Sequence, residues 1–395
     1  MLSATGAIAA FAILALAVNV IDTDAPPPDQ AAGTLVVAAD GSGDFATIQA
    51  AVDAAEPGDT ISITPGEYVE AIVIDKDLTL AGDGPREEIV IGAPEDGPRQ
   101  DIDFAWFPAA RYAILVEAHN VALEGFTLRG VDSRLFVDWT QDGEEGARAS
   151  LEGLLVDAVA TKYDGTNDPN STCAVVVNAD TEAYVEDNLF RSGGSLCVFG
   201  VGSVFGNEFS EGATISGTFE GVSVVEGNHL HGPGYQGIVF LGDTGAAFWD
   251  NTIVDRERAF TPGDGIRLSS GFAPGIMSND IDGADVGISI SSGTDALVGQ
   301  NAVAQSRVGI ELGRTDAEVS LNDLSGNEVG ILVTGGQPTL GGNTIQGNDI
   351  GVSLGTAAEP IFTNNLICDN ETDVRVLGDV QPDLSGNQPC DTASS

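Results

Sequence analysis

The sequence predicts an all-β protein, a single-stranded right-handed parallel β-helix with a short capping helix at its N-terminal end. Three observations predict this fold: an Asn turn that recurs at near-constant intervals, a Gly-Ile-x-Leu strand after most of these turns, and cysteines that keep the same interval. The 51 glycines are well above the usual share of about 7% and fit frequent turns between short strands. No strict Gly-X-Y period is present, which excludes collagen.

The recurring Asn marks one coil of the predicted solenoid. Successive Asn residues are 19 to 28 residues apart, and most intervals are 21 or 22 residues. We expect Asn because the turn needs a residue that tolerates left-handed backbone. Its side-chain amide can also bond to the equivalent Asn one coil away, which predicts a buried ladder. The turn residues are Asn188, Asn207, Asn228, Asn251, Asn279, Asn301, Asn322, Asn343, Asn365 and Asn387.

A Gly-Ile-x-Leu strand begins about nine residues after most of these turns, as in Gly287–Ile290 and Gly309–Leu312. Alternation with period two sends the Ile and Leu side chains inward and the residue between them outward. Ligands of such a solenoid are expected on this outward face and its flanking loops. The outward row is predicted to be Val239, Arg267, Ser289, Glu311, Leu332, Ser353 and Arg375.

The N-terminal part divides into residues 1–33, a signal peptide or anchor with a linker, and the start of the β-helix, which spans residues 34–390. The apolar run Ala7–Val18 has the length of a signal-peptide core and is short for a membrane span. We therefore expect a secreted or cell-surface protein. Apolar residues at helical spacing between Phe45 and Ala55 predict the capping helix, which covers the open end of the solenoid.

Charge limits the partners of this chain. It has 60 acidic and 15 basic residues and a net charge of −45. Such a field repels nucleic acids and anionic membrane surfaces, so neither is expected as a partner beyond an N-terminal anchor. It also disfavours long polyuronates unless divalent cations bridge the two. The acidity indicates either solubility in a saline medium or a dedicated cation-binding role, and we expect a monomer.

The four cysteines fall into two local pairs. Cys173 and Cys197 are 24 residues apart, and Cys368 and Cys390 are 22 apart. Equivalent positions in adjacent coils lie about one strand spacing apart, within the Cα–Cα range of about 4.4–6.8 Å that a disulfide accepts. The spacing therefore predicts Cys173–Cys197 and Cys368–Cys390, in keeping with export. Zinc is not expected, because the sequence has no Cys-x-x-Cys motif and no Cys/His cluster.

Three N-terminal segments resemble the first coil and cap of pectin methylesterases and mannuronan epimerases, members of the pectin lyase-like superfamily. They are Asp40–Ala55, Pro57–Ile61 and Pro65–Glu70. Together with the Asn coils the resemblance covers about residues 34–390, and it implies the fold rather than an activity. The esterase arginine motif is matched only by Leu312-Gly313-Arg314, and the epimerase Asp-Pro-His motif only by Asp168-Pro169-Asn170. The paired aspartates of polygalacturonase-like hydrolases are also absent, so no activity carries over.

Candidate catalytic residues lie around a lengthened coil, Thr252–Asp264. A His or Tyr base, with an Arg that neutralises an acid, is typical of lyase- or epimerase-like chemistry. The alternative interpretation is a salt-bridged loop beside a turn that contains histidine. The candidates are His229, His231, Tyr235, Arg256 and Asp264.

Two further insertions, Ala93–Arg111 and Val131–Thr172, hold aromatic residues that are suited to stacking on sugar rings. These aromatics could instead anchor their own loops. We expect the three insertions to converge on one side as a ligand groove. Ca²⁺ bound by loop Asp and Asn side chains is an open alternative, although no spacing matches a known calcium loop. The candidate substrate-binding residues are Trp106, Trp139, Lys162, Tyr163 and Arg267.

Three functions stay open at this point. The first is a secreted protein that binds or modifies an extracellular or cell-wall polysaccharide, with a lyase-, epimerase- or hydrolase-like reaction if it is an enzyme. The second is a non-catalytic structural or adhesive solenoid. The third is a periplasmic accessory factor for metalloenzyme maturation, which few His residues and no Met-rich motif disfavour.

Overall fold

The structure is a computed structural model of the 395-residue chain. It describes residues 32–100, 110–131, 134–137, 147–159, 173–177, 181–217, 223–232, 236–240, 246–254, 263–269, 274–291, 295–379, 381–388 and 390. Residues from Gly33 onward belong to one compact unit. Within these residues the chain winds as a parallel β-helix, and each regular coil contributes one short strand to each of three long sheets.

The first sheet has 14 strands and receives the strand that precedes each ladder Asn. Its strands are β1 (Thr34–Val37), β2 (Thr60–Ile63), β5 (Leu78–Gly82), β10 (Asn120–Glu124), β13 (Ala147–Glu152), β16 (Thr181–Glu186), β19 (Val201–Phe205), β22 (Val224–Glu226), β25 (Ala247–Trp249), β28 (Gly275–Met277), β31 (Leu297–Gly299), β34 (Glu318–Ser320), β37 (Thr339–Gly341) and β40 (Ile361–Thr363).

The second sheet has 13 strands, each of which directly follows a turn from the first sheet. Its strands are β3 (Gly66–Val69), β6 (Ile89–Gly92), β11 (Thr127–Val131), β14 (Leu155–Val159), β17 (Leu189–Phe190), β20 (Glu208–Ser210), β23 (His229–His231), β26 (Thr252–Val254), β29 (Asp280–Asp282), β32 (Ala302–Ala304), β35 (Asp323–Ser325), β38 (Thr344–Gln346) and β41 (Leu366–Cys368).

The third sheet also has 13 strands and contains the Gly-Ile-x-Leu segments. Its strands are β4 (Ile72–Ile74), β9 (Ile114–Val116), β12 (Leu135–Val137), β15 (Cys173–Val177), β18 (Ser195–Val198), β21 (Ile215–Gly217), β24 (Gln236–Phe240), β27 (Asp264–Leu268), β30 (Val286–Ile290), β33 (Val308–Arg314), β36 (Val329–Gly336), β39 (Ile350–Ala358) and β42 (Thr372–Val376). Outside the three sheets, β7 (Arg99–Gln100) and β8 (Ala110–Arg111) form an antiparallel pair.

The core is a continuous column of aliphatic and aromatic side chains inside the coils. The Ile and Leu of each Gly-Ile-x-Leu strand point into it, and Ile288, Ile290, Ile310 and Leu312 are all at most 1% exposed, as predicted. The Gly of this motif is required for steric reasons. A Cβ on Gly287 would stand 2.6 Å from the carbonyl oxygen of the equivalent Gly one coil on, so only Gly allows this close stacking.

The Asn ladder is present and buried. Asn322 Nδ2 donates to Asn343 Oδ1 at 2.9 Å, and Asn343 Nδ2 donates to Asn365 Oδ1 at 2.8 Å. The expected left-handed conformation is wrong for the Asn itself, because it belongs to the residue before it, as at Leu321 with φ +60° and Asn364 with φ +60°. The ladder Asn instead uses its amide to bond the backbone and side chain of neighbouring coils.

A second ladder, which was not predicted, lies five residues beyond the first. Asn327 Nδ2 donates to Asn348 Oδ1 at 3.0 Å, and Asn348 Nδ2 donates to Asn370 Oδ1 at 3.0 Å. At its start, Ser306 N–H donates to Asn327 Oδ1 at 2.9 Å. The last coils are therefore fixed at both ends of each second-sheet strand.

The capping helix is shorter than predicted. Helix α1 spans Ile48–Ala54 rather than Phe45–Ala55, and its buried face consists of Ile48, Ala51 and Val52. The Glu70 carboxylate accepts the backbone N–H groups of Ile48 and Gln49, both at 3.0 Å, which satisfies two donors at the start of the helix.

Both predicted disulfides are present. Cys173–Cys197 and Cys368–Cys390 each join positions with a Cα–Cα distance of 5.7 Å. Such bonds persist in oxidising compartments, so they fit a protein located outside the cytoplasm. Among the described residues, no helix has the length and apolarity needed to cross a bilayer. The apolar run Ala7–Val18 lies outside the described residues.

Candidate functional site on the outer face of the third sheet

A single row of outward side chains runs along the third sheet from β4 to β42, one residue per coil in unbroken register. The predicted row from Val239 to Arg375 forms its second half. The full row, hereafter the third-sheet row, is Val73, Leu115, Phe136, Val176, Cys197, Ser216, Val239, Arg267, Ser289, Glu311, Leu332, Ser353 and Arg375.

The solvent exposure of the row changes at Arg267. From Leu115 to Val239 its side chains are buried, and Leu115, Phe136, Val176 and Cys197 belong to an apolar cluster outside the solenoid core. Val239 keeps its predicted place in the outward row but is 3% exposed. From Arg267 onward most row residues reach solvent.

Ser353 also keeps its predicted place in the outward row, and it is fully buried. Its hydroxyl accepts hydrogen bonds from Arg375 Nε at 3.2 Å and Arg375 Nη2 at 3.0 Å, so the guanidinium covers it. Arg375 is thus engaged within the protein at the C-terminal end of the row. Arg267 lies at the boundary with the apolar half of the row, and its partner is an aspartate instead of a serine.

Asp264 and Arg267, assigned separately to catalysis and substrate binding, lie together on β27. Arg267 Nη1 donates to Asp264 Oδ2 at 3.4 Å, and the side chains are 42% and 15% exposed respectively. Burial raises the pKa of Asp264 above the ordinary aspartate value, and the nearby Asp285 and Glu311 add to the increase, whereas Arg267 and Arg307 oppose it. Asp264 therefore keeps its proton to a higher pH than a solvated carboxyl group.

Arg267 keeps a donor unused. Its Nε is buried, and among the described residues no acceptor lies within hydrogen-bonding distance. Because Nε is closed to solvent, a ligand oxygen can reach only the exposed part of this side chain. The outer part of the same guanidinium reaches solvent.

A second ion pair lies at the edge of the same face. Arg307 Nε donates to Asp285 Oδ1 at 2.8 Å, and Arg307 Nη2 donates to Asp285 Oδ2 at 2.9 Å. Glu311 stands in the third-sheet row two strands beyond Arg267. These two pairs and Glu311 form the Asp264 cluster, which consists of Asp264, Arg267, Asp285, Arg307 and Glu311.

The structure separates the histidines from Asp264. His229 and His231 are exposed on β23 in the second sheet, with ring centroids 6.4 Å apart. Asp264 begins a strand of the third sheet, so the three predicted catalytic residues that the structure describes do not share one face. Tyr235 and Arg256 lie outside the described residues.

The long connections join described strands at two edges of the third sheet. The connections of residues 93–113, 160–172 and 255–263 each run from the second sheet to the third. The connection of residues 138–146, which contains Trp139, runs from the third sheet to the first, so it starts from the opposite edge. Trp106, Trp139, Lys162 and Tyr163 themselves lie outside the described residues.

Comparison with known proteins identifies the fold. The solved structure of a periplasmic alginate epimerase has a TM-score of 0.51 at 12% identity, with 81% of this chain and 77% of that chain covered. A catalytic unit of a thermostable α-1,3-glucanase from Streptomyces thermodiastaticus gives 0.47 at 16%, covering 87% and 66%, so the match spans just under two thirds of that unit. A mannuronan C-5 epimerase module from Azotobacter vinelandii gives 0.43 at 16%, covering 84% and 91%.

The fold is that of the pectin lyase-like parallel β-helices. At these identities the similarity concerns architecture alone. None of the functionally curated proteins matches the sequence. A family model described as periplasmic copper-binding protein (NosD) matches residues 249–388, which is less than half of the chain.

The matched segment does not fit a copper centre. Copper sites use imidazole, thiolate and thioether ligands, but residues 249–388 contain no histidine, one methionine, Met277, and one cysteine, Cys368. Cys368 is held in a disulfide with Cys390. In the described part of the chain, no group of three or more His, Cys, Asp or Glu residues is placed to hold a metal ion.

Proposed function

We propose that this protein binds an extracellular or cell-wall polysaccharide on the outer face of the third sheet, at the Asp264 cluster. The observation that carries the proposal is the 42% exposed side chain of Arg267 on this face, beside the mostly buried carboxyl group of Asp264, whose pKa is raised by burial. A sugar hydroxyl can accept a hydrogen bond from the exposed part of the Arg267 guanidinium. Protonated Asp264 can in addition serve as a general acid, since catalytic carboxyls are commonly protonated through burial.

The polysaccharide is proposed to run along the solenoid axis. Arg267 and Glu311 are two strands apart, so their backbones are separated by about 9.6 Å along this axis. One chain laid across the coils therefore contacts both residues. A net charge of −45 favours neutral chains, and polyuronates are expected to bind only when a divalent cation bridges the two acidic partners.

The test is binding of the purified chain to a glycan array, with and without Ca²⁺, followed by titration of each glycan that binds. Arg267→Gln should weaken binding at least about tenfold, the value of one charge-assisted hydrogen bond. Arg375→Gln is the matched control, because Arg375 lies in the same row but already bonds Ser353. Equal losses in both variants, or no glycan bound by the wild-type chain, would contradict the proposal and favour a structural or adhesive solenoid.

A reaction at this site has its own test. If Asp264 is a general acid, Asp264→Asn should abolish formation of new reducing or unsaturated ends from a bound polysaccharide while binding persists. Persistent turnover in Asp264→Asn would exclude Asp264 from the chemistry. Binding without turnover in the wild-type chain would assign the face to recognition alone.

The partial match to a copper-binding family favours a second candidate, an accessory role in metalloenzyme maturation. Competition with a copper chelator of known affinity tests it on the full chain. The ligand set of the matched segment leads us to expect no tight copper binding. Tight one-to-one binding would restore this candidate and would locate the copper ligands outside residues 249–388.

A further inference from the structure

The outer face of the first sheet carries a row of large side chains that the third-sheet site does not use. Phe205, Glu226, Trp249 and Met277 occupy equivalent positions on β19, β22, β25 and β28 in continuous register. The Phe, Trp and Met side chains are half-buried, and Glu226 is exposed. These four residues are called the first-sheet strip.

The Trp249 side chain lies close to the backbone of the first sheet. Its Nε1 is 3.6 Å from the position that a Cβ of Gly275 would occupy, so the indole lies next to the backbone of the following coil. Nε1 is buried and has no acceptor among the described residues, although the side chain as a whole is partly exposed. The indole is therefore packed against the sheet, and part of it reaches solvent.

The strip is rigid because the Asn ladder fixes it. Each strip residue stands two positions before a ladder Asn, for example Trp249 before Asn251 and Glu226 before Asn228. Asn228 Nδ2 donates to the carbonyl oxygen of Glu226 at 3.2 Å and to Asn251 Oδ1 at 3.0 Å. A preorganised surface loses little entropy when a ligand binds.

The order aromatic, carboxylate, aromatic suits a sugar chain. Phe205 and Trp249 are two strands apart, about 9.6 Å along the solenoid, and Glu226 stands between them. Aromatic rings stack on the apolar C–H faces of sugars, and a carboxylate accepts from their hydroxyls. An anionic partner would be repelled by Glu226 and by the net charge of −45.

We propose that the first-sheet strip is a second polysaccharide-binding site, which takes a neutral glycan chain laid along the solenoid axis. Tyr184 extends the same face on β16, where its hydroxyl donates to Glu182 Oε1 at 2.7 Å. Glu182 also pairs with Arg148 at 3.3 Å. This site lies on a different face from the Asp264 cluster, so the two sites act on different segments of a polymer or on different chains.

The experiment is affinity electrophoresis and tryptophan fluorescence of the full chain with neutral polysaccharides of β-glucan, xylan and mannan type. The carboxymethylated form of any polysaccharide that binds is the anionic comparison. Trp249→Ala should weaken binding about three- to tenfold or more, the value of one aromatic platform. Trp249→Phe should retain most of the affinity and also serves if Trp249→Ala folds poorly.

Leu297→Ala is the matched control, because Leu297 is an exposed apolar residue on the same face outside the strip. Unchanged affinity in Trp249→Ala, equal loss in Leu297→Ala, or tighter binding of the carboxymethylated chain would overturn the inference. Arg267→Gln separates the two sites. Loss in Trp249→Ala alone supports the strip against the third-sheet site, whereas loss in Arg267→Gln alone overturns the strip and supports the Asp264 cluster.

Discussion

The coils up to β24 and those from β27 onward use the same three-strand plan, but their outer surfaces differ. In the first half, the third-sheet row from Leu115 to Val239 is buried and apolar apart from Ser216, and the Cys173–Cys197 disulfide lies within its cluster. In the second half, the row from Arg267 onward is polar apart from Leu332, and an additional Asn ladder fixes the last coils. The comparison teaches that coil regularity comes from inward residues shared by both halves, whereas outward residues are free to differ.

The largest expected effect concerns the disulfide of the first half. Replacing both Cys173 and Cys197 with Ser should lower the free energy of unfolding by about 2–4 kcal/mol, since the unfolded chain regains the entropy of a closed loop. The change also places two hydroxyls in a fully buried apolar cluster. Denaturant unfolding under non-reducing conditions measures the effect.

The second disulfide provides the control for this comparison. Cys368–Cys390 fastens the final segment to β41, and Gln388 N–H also donates to the Asn365 carbonyl there. Removing it should mainly increase hydrogen exchange in the last coil. If its removal costs as much global stability as the loss of Cys173–Cys197, the two halves are not stabilised differently as described.

The next effect concerns the first Asn ladder. Asn322→Ala should destabilise the protein by about 1–3 kcal/mol. The substitution leaves Asn301 Nδ2 and Asn301 N–H without their shared acceptor, the Oδ1 of Asn322. Thermal and denaturant unfolding test this, with exposed Asp323→Ala as the neighbouring control.

Asn348→Ala should cost a similar amount through the second ladder, since Asn348 bonds Asn327, Asn370 and the Leu324 carbonyl. A negligible effect at Asn348 alongside a large one at Asn322 would show that only the first ladder stabilises the second half.

The smallest expected effect concerns Asp264. Because burial raises its folded-state pKa, the folded protein binds this proton more tightly than the unfolded chain does. The resulting stabilisation is fully present below the unfolded pKa and is lost as the pH rises through the folded pKa. Asp264→Asn should therefore be more stable than the wild-type chain at neutral pH, and the advantage should vanish in acid.

Asp285→Asn gives a contrast of opposite sign. It breaks the partly exposed ion pair with Arg307, so it should lower stability at neutral pH by up to about 1 kcal/mol. Unfolding measured across the acid range distinguishes the two variants. A wild-type chain more stable than Asp264→Asn at neutral pH would show that the Asp264–Arg267 contact outweighs the burial of Asp264.

Much of this fold could be predicted because its determinants repeat. The interval between Asn322 and Asn343 sets both the ladder and the coil length, and the paired cysteines follow the same interval. Alternation in Gly-Ile-x-Leu predicted which side chains point inward, since a strand offers only two directions. The second ladder was also visible, as Asn327, Asn348 and Asn370 recur with the same interval.

The candidate site depended on tertiary structure. The sequence predicted Asp264 and Arg267 as functional residues and grouped them with His229 and His231, but only the fold shows that the histidines stand on the second sheet. A solenoid has three faces, and spacing along the chain does not tell which face a residue on a lengthened coil will join.

By itself, the sequence determined the inward-facing half of the molecule: the coil repeat, the core, the Asn ladder and the disulfide pairing. Only the tertiary structure decided the outward half, including the burial of Val239 and Ser353 and the alignment of Trp249 with Phe205 across three coils. The physical reason is that every core position must satisfy the same constraint, exclusion from water, and this constraint produces a periodic pattern in the sequence. The environment of an outer residue is set by whichever coils and connections lie next to it, and these contacts are not periodic.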